Sequence, residues 1–317
     1  SNTVPSRNDP NLTFSYNDVK KGKLIKTCVL FIDIRNSTRM SKNLKSDKVR
    51  LGKIYSSFVH AMTKIADEYG YVRNIVGDRV MVVFDPSDCY EASIKCAELM
   101  HTVAKRIIKQ YSGISDFNVG IGIDFGELLV LKAGIQRRHE EQSEYKGLIW
   151  IGDVANIASK LTDFASKEYY SVSYRIKFLN ERFERISKGI KYKPKKTVFP
   201  TISKFDPADF YEEFEYKTIR EEQYLLLNEK EFAKRVEFNN QIKLDGKKVT
   251  DINKEVNTGI TSPILISGNV YLGLKNINNK SPYLLSFTKQ QYPEQPSVGY
   301  GIYGANLINR DINLIKK

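Results

Sequence analysis

The sequence predicts an α+β fold in which helices pack on a mainly antiparallel sheet. Three observations carry this expectation. Short apolar runs rich in Val, Ile and Phe alternate with longer segments whose apolar residues recur at helical spacing. Some neighbouring runs are separated only by a tight turn, which makes a hairpin rather than a crossover. The segments then follow one another as β-α-β-β-α-β-β-α-β-α, an order that lays helices over a sheet.

Residues 1–23 are polar and read as a flexible N-terminal arm, without the apolar core of a signal peptide. The first strand covers residues 25–33, where the β-favouring run Val29-Leu30-Phe31-Ile32 ends on Asp33. Val49, Ile54, Phe58, Met62, Ile65 and Tyr69 recur at helical spacing, which predicts a helix over 46–69 with Ser46 as N-cap and Gly70 as stop. Arg73 to Phe84 reads as two strands around the turn Gly77-Asp78, a dipeptide that tolerates the φ > 0 geometry of a tight hairpin. Pro86-Ser87-Asp88 opens a second helix that reaches Tyr111. Strands are expected at 117–124 and 128–135, joined near Gly126, with a charged loop at 136–146 and a short strand at 148–151. A helix follows over 153–165, then a strand at 169–173 and a helix at 174–185. Beyond Arg185 the texture changes: a Lys-rich run at 188–196, prolines at 194, 200 and 207, and a further strand at 210–219. From about 222 the chain is rich in Asn, Lys and Gly, with β-like runs at 263–266, 270–274 and 283–287.

Composition narrows the function. A hydrophobic content of 41% supplies a core, and 50 Lys+Arg against 37 Asp+Glu give a net charge of +13. A soluble basic protein, or one that prefers anionic ligands such as nucleotides, fits this balance. No zinc-finger, RRM or basic-zipper pattern is present, so nucleic acid is not an expected partner. Cys28, Cys89 and Cys96 are too few for a disulfide framework and suit a reducing cytoplasm. No apolar run reaches the roughly 18 residues of a membrane helix, so no direct membrane insertion is expected. His60, His101 and His139 have no ligand spacing.

The candidate chemistry centres on two carboxylates. Asp33 ends a buried strand, where an unpaired charge is costly unless it meets a cation. Asp78 sits at a hairpin tip. Two such aspartates on neighbouring loops can bridge hard cations along a triphosphate. Arg35, Asn36, Ser37 and Thr38 follow Asp33 just before a helix, and the amino end of a helix favours anions.

Phe31-Ile32-Asp33-Ile34-Arg35-Asn36-Ser37-Thr38, then Val76-Gly77-Asp78, then Ile151-Gly152-Asp153-Val154-Ala155-Asn156-Ile157-Ala158-Ser159-Lys160 resemble the three signatures of class III nucleotidyl cyclases. The resemblance spans residues 24–220, leaving 221–317 as a C-terminal extension of unknown role. It implies a βαββαβ core and a head-to-tail homodimer with shared active sites. It implies that Asp33 and Asp78, with the Ile34 carbonyl, hold two Mg²⁺ or Mn²⁺ ions per site. The backbone of Arg35–Thr38 would bind the triphosphate of a nucleoside triphosphate substrate. Asn156 and Lys160 of the other subunit would orient the ribose and stabilise charge. The pattern departs from purine cyclases at three places. Asn74 stands where Lys or Glu reads the base, Ile149 replaces a second base-reading residue, and Lys160 replaces an arginine. Tyr55 is either a core aromatic of its helix or a residue that narrows the base pocket. With these departures the motifs look like the pyrimidine cyclases of bacterial anti-phage (Pycsar) systems. That implies a cytoplasmic enzyme making cyclic UMP or cyclic CMP for a cyclic-nucleotide-sensing effector. UTP is favoured, because the expected pocket supplies no carboxylate to accept from the cytosine N4 amine. A purine cyclase with an atypical pocket, a degenerate nucleotide-binding module and a polymerase-like two-aspartate enzyme are the alternatives.

Overall fold

Every strand of the main sheet is built outward from β1 (Lys23–Ile34), whose alternating burial buries one face under helices and leaves Asp33 on the other. The computed structural model describes residues 3–13, 21–134, 136–137, 140–141, 146–180, 214–220, 225, 243–244, 247–277, 281–292 and 295–310. They divide into two units, Ser1–Glu168 with Ile260–Lys317, and Tyr169–Gly259.

In the first unit β1 is followed by α1 (Ser37–Asn43) and α2 (Lys48–Tyr69). Asp47, not Ser46, caps α2: its carboxylate accepts from the Arg50 N–H at 2.9 Å. The hairpin of β2 (Tyr71–Val76) and β3 (Arg79–Val83) comes next. α3 (Cys89–Val103) continues through a π-helical turn at Ala104–Ile108 into α4 (Lys109–Ser112), which Gly113 ends in the left-handed region. β4 (Val119–Ala133) is one strand where two were expected. β1 is long enough to pair along most of it, from Lys23↔Val130 to Ile34↔Val119, so Gly126 is a ladder residue opposite Thr27 rather than a turn. A two-strand ribbon, β5 (Gln136–Arg137) and β6 (Glu140–Glu141), lies in the expected charged loop. β7 (Gly147–Ile151) pairs with the far end of β4, and α5 (Asp153–Phe164) follows.

The second unit is a four-stranded sheet. β8 (Glu168–Leu179), which begins at the unit boundary, pairs with β9 (Phe214–Arg220), and β10 (Lys243–Leu244) pairs with β11 (Lys247–Ile260), in the order β10-β11-β8-β9. Residues 174–179 are therefore strand where a helix was expected. Val172, Ile176 and Phe178 are buried at even spacing, and Ile176 and Phe178 pack on Ile219. The further strand expected at 210–219 is described from Phe214 onward, where it belongs to this second sheet. Residues 181–185 and the Lys-rich run at 188–196 lie outside the described residues.

The chain then contributes β12 (Ile264–Ser267), α6 (Gly268–Ile277), β13 (Thr288–Gln290) and β14 (Ile302–Ala305) to the first unit. β12 lies parallel to β4, with Ile264 opposite Ile121, and the main sheet reads β13-β14-β12-β4-β1-β3-β2. The expected boundary at 220/221 thus falls inside the second unit, and the end of the chain completes the first. The physical reason is an open edge: β7 covers only Leu129–Ala133 of β4, and the fully buried run Ile264-Leu265-Ile266-Ser267 pairs nearer its start, at Ile121–Ile123. Val270 and Leu274, expected in a strand, are buried one helical turn apart in α6.

Two cores sandwich the sheet. The larger joins Leu30, Ile32 and Ile34 to Phe58 and Met62 of α2 and to Ile94 and Met100 of α3. The second lies on the other face and includes Val29, Met81, Leu128, Val130, Val154 and Ala158. Val4 and Leu12 are buried in it, so the described part of the N-terminal arm is packed rather than free. Among the described residues no helix is long and apolar enough to cross a membrane.

Candidate active site

The pleat decides where Asp33 points. Cys28, Leu30, Ile32 and Ile34 face the helix layer, so Asp33 emerges on the opposite face, beside α5. α5 lies directly on β4 because Gly120 and Gly122 have no side chains. A Cβ on Gly122 would stand 2.3 Å from the Ala158 carbonyl oxygen and the Thr162 nitrogen. Thr162 fixes the contact, donating from Oγ1 to the Phe31 carbonyl at 3.1 Å.

Asp78 reaches the same place from the hairpin. Val76 pairs with Arg79, which leaves Gly77 and Asp78 as a two-residue turn with Gly77 at φ 62°. The half-buried Asp78 carboxyl is raised to about 6, by burial first and then by the charge of Asp33 and a hydrogen bond to it. Backbone bonds from Asp78 itself and from Ile34 oppose the rise. Asp78 Oδ2 is buried and has no hydrogen-bond partner among the described residues.

Two guanidiniums answer these carboxylates. Arg79 Nη2 lies 2.7 Å from Asp33 Oδ2, Arg79 Nη1 donates to Ser159 Oγ at 2.9 Å, and Arg79 also pairs with Asp163. Arg35 Nη2 stands 3.4 Å from Asp33, and Arg35 Nη1 donates to the Asp163 carbonyl at 3.1 Å. Burial pulls Arg35 down from the ordinary arginine value, with Asp33 and Asp163 opposing.

The structure distributes the other expected residues as follows. The Arg35 N–H is taken by the Asn118 carbonyl at 2.8 Å, so that amide is not free for a phosphate. Asn36 turns the chain in the left-handed region (φ 56°), and Asn36 and Thr38 are exposed, with Ser37 part-buried. A cleft of about 750 Å³ opens beside Arg35 and Asn36, with Lys105, Lys109 and Lys167 on its walls. Asn156 and Lys160 are exposed one turn apart on α5. Asn74 is exposed on β2 and Ile149, 47% accessible, on β7. Tyr55 packs half-buried on the larger core, its hydroxyl 3.3 Å from Ser41 Oγ.

Two further arginines, Arg79 and Arg73, are engaged near the site. Arg79 is bonded as above. Arg73 is the bulged residue of β2, between Val72 and Asn74, and its guanidinium lies over Tyr71 (4.7 Å) and Trp150 (5.9 Å). Arg73 Nε and Trp150 Nε1 are buried donors without partners among the described residues. Ser159 and Asp163, four residues apart on α5, were the available sign that this helix presents a second polar stripe toward Arg79.

The donor set suits a hard divalent cation. Two neighbouring carboxylates, one with a buried oxygen unpartnered, are oxygen ligands that gain from positive charge. Among the described residues no cluster of three or more His, Cys, Asp or Glu side chains occurs, so the remaining ligands would be backbone carbonyl, water and substrate oxygens.

Residues 19–197 match the adenylate and guanylate cyclase catalytic domain, and the chain belongs to this class III cyclase family. Over 210 residues it is 30% identical to a uridylate cyclase of Gulbenkiania mobilis, which covers 63% of this chain and 76% of that protein. A uridylate cyclase of Rhodovulum sp. (strain MB263) is 29% identical over 195 residues, 58% of this chain and 74% of that one. A cytidylate cyclase of Staphylococcus aureus is 30% identical over 109 residues, 32% of this chain and 25% of that protein.

Proposed function

We propose that the chain is a pyrimidine nucleotide cyclase that converts UTP to 3′,5′-cyclic UMP and pyrophosphate. The ribose 3′-oxygen attacks the α-phosphorus, the bond to the bridging oxygen of the β-phosphate breaks, and the 3′-hydroxyl proton leaves to solvent. Asp33 and Asp78, with the Ile34 carbonyl, hold Mg²⁺ or Mn²⁺. When bound, such ions lower the pKa of the 3′-hydroxyl and neutralise charge on the leaving pyrophosphate. The exposed turn Asn36–Thr38 and the Arg35 side chain hold the triphosphate, and the lysine-lined cleft beside them adds positive potential. Asn156 and Lys160, exposed together on α5, serve the site of a second copy of the chain, as the head-to-tail dimer of the family implies.

The single observation that carries the pyrimidine reading is the pair of uridylate cyclases at 30% and 29% identity over the catalytic segment. Side chains beside the expected base-reading positions support it. The strands that bear Asn74 and Ile149 also carry the unpartnered donors of Arg73 and Trp150. Donors suit the carbonyl oxygens of uracil, and a buried base edge left unpaired costs about 1–3 kcal/mol. The cytidylate cyclase relative keeps CTP as the second reading. For the physiological setting we propose what the motif resemblance implies: a cytoplasmic enzyme whose product triggers a cyclic-nucleotide-sensing effector in anti-phage defence. Incubation with equal ATP, GTP, CTP and UTP and Mn²⁺, with products identified by mass, tests the reading. Cyclic UMP is the expected main product. Dominant cyclic CMP would transfer the assignment to the second reading, and purine products at equal rate would remove both.

A further inference from the structure

Arg79 is placed where a metal ligand's charge must go. Its Nη2 and Nε stand 2.7 and 3.3 Å from the same oxygen, Asp33 Oδ2, and Arg35 approaches that oxygen too. Nη1 of Arg79 donates to Ser159 Oγ, and Nη2 donates to the Asp163 carboxylate as well as to Asp33, so the side chain is tied to α5. The geometry is local in origin. Ile32 pairs with Val80, so Asp33 and Arg79 are the next cross-strand neighbours and share the face turned away from α2 and α3, on which α5 lies. A divalent cation that takes this oxygen must displace the fork of two N–H donors, and one that takes Oδ1 still meets the charge of the guanidinium on the same carboxylate. Three carboxylates (Asp33, Asp78, Asp163) also face only two guanidiniums, so a cation has a reason to enter but must compete for Asp33.

We propose that Arg79 is the resident counter-cation of the carboxylate pair, holding Asp33 while no divalent ion is bound and yielding it when one binds. The proposal rests on the reading of Asp33 and Asp78 as metal ligands. On release, Arg79 keeps its bonds to Ser159 and Asp163, so the helix that carries Asn156 and Lys160 stays anchored while the carboxylates are loaded. Arg79 is thus a positioning residue: it sets how tightly the site takes up free metal, and it guards a half-buried carboxylate pair against self-repulsion.

The test is Mn²⁺ binding to the nucleotide-free full-length chain, followed by the electron paramagnetic resonance of free Mn²⁺. Thermal melting in EDTA and in saturating Mn²⁺ runs beside it. Arg79→Gln is expected to bind Mn²⁺ about fivefold or more tightly than wild type, because an ion pair that competes with the metal is gone. It should melt below wild type in EDTA, and the gap should narrow in Mn²⁺. Arg79→Lys, which keeps charge but loses the fork, should fall between the two, and it carries the test if Arg79→Gln does not fold. Unchanged or weaker Mn²⁺ binding in the variants, with an equal melting deficit in both media, would mean that Arg79 only braces α5, and the proposal fails. If wild type itself binds no Mn²⁺, the metal reading fails and takes this one with it.

Discussion

At the scale of single residues, the site is a problem of charge kept at close quarters. Asp33 has two guanidiniums within reach, whereas Asp78 has a buried oxygen with no partner and a carboxyl raised to about 6. The two aspartates therefore respond differently to neutralisation. Asp78→Asn removes a charge that the metal-free fold disfavours, so its melting temperature in EDTA should equal or exceed wild type. Asp33→Asn strips Arg79 and Arg35 of their anion and should melt lower. Both should lose turnover by more than about a hundredfold, since even outer-shell partners of a metal are worth tenfold to a hundredfold. Wild-type rates in either variant would end the two-aspartate assignment, and a large fall in the Asp78→Asn melting temperature would contradict the electrostatics. The aspartates were legible in the sequence, because a carboxylate closing an apolar strand and another in a Gly-Asp turn are local anomalies. Arg79 was not, because its role depends on Ser159 and Asp163, about eighty residues away.

At the scale of elements, close approach and length explain where pattern reading succeeded. α2 and α5 have apolar periodicity that matches one buried side, and both were expected within a few residues of their observed bounds. β4 is expected as two strands because Gly126 looks like an interruption, and the second half of β8 as a helix, yet each is held in a ladder by its partner strand. Propensity gives way there to ladder pairing. Gly122 tests the close contact of α5 with β4. Gly122→Ala puts a methyl into backbone atoms of α5, so stability should drop by about 1–3 kcal/mol or more, with an unchanged melting temperature as the contrary result. His101 on α3 offers a test by pH. Its Nδ1 lies 2.7 Å from the Leu307 carbonyl, and burial lowers its pKa below the ordinary value, with the hydrogen bond to Leu307 opposing. The unfolded chain therefore binds a proton that the folded one resists. Its contribution is full above the unfolded value, near 6.5, and is lost as pH falls below it. His101→Gln should flatten that acid side of the stability curve relative to wild type. A curve that keeps the wild-type slope would place the loss on another group; Asp124 is not that group, because burial raises its carboxyl and a raised acid stabilises the fold as pH falls.

At the scale of the whole molecule, the catalytic unit is assembled from both ends of the chain. β12 enters beside β4 after the second unit has been traversed, a pairing across more than a hundred residues that no local pattern announces. Truncation after residue 220 would therefore uncover the edge of β4 and remove Ile264 and Ile266 from the larger core, rather than delete an appendage. The same scale decides how the active site is completed. Asp33, Asp78 and Arg79 gather at one place, while Asn156 and Lys160 stand exposed on α5 and Ser159 and Asp163 of the same helix are turned to Arg79. One helix thus braces the carboxylates of its own chain and offers a second set of residues outward. If that outward set serves a second copy, two inactive chains can repair one another. Asp33→Asn lacks one of the two proposed metal ligands but keeps Asn156, and Asn156→Ala keeps both aspartates. Each should be inactive alone. Mixed in equal amounts under subunit exchange, half of the dimers are mixed, and each of these holds one intact site of its two. Activity should therefore return to roughly a quarter of the wild-type level, provided that partners are chosen at random and sites act independently. Exchange can be followed independently by native mass spectrometry of a size-tagged copy. Mixed dimers without recovered cyclisation would mean that Asn156 acts on the carboxylates of its own chain, and the shared site would have to be abandoned.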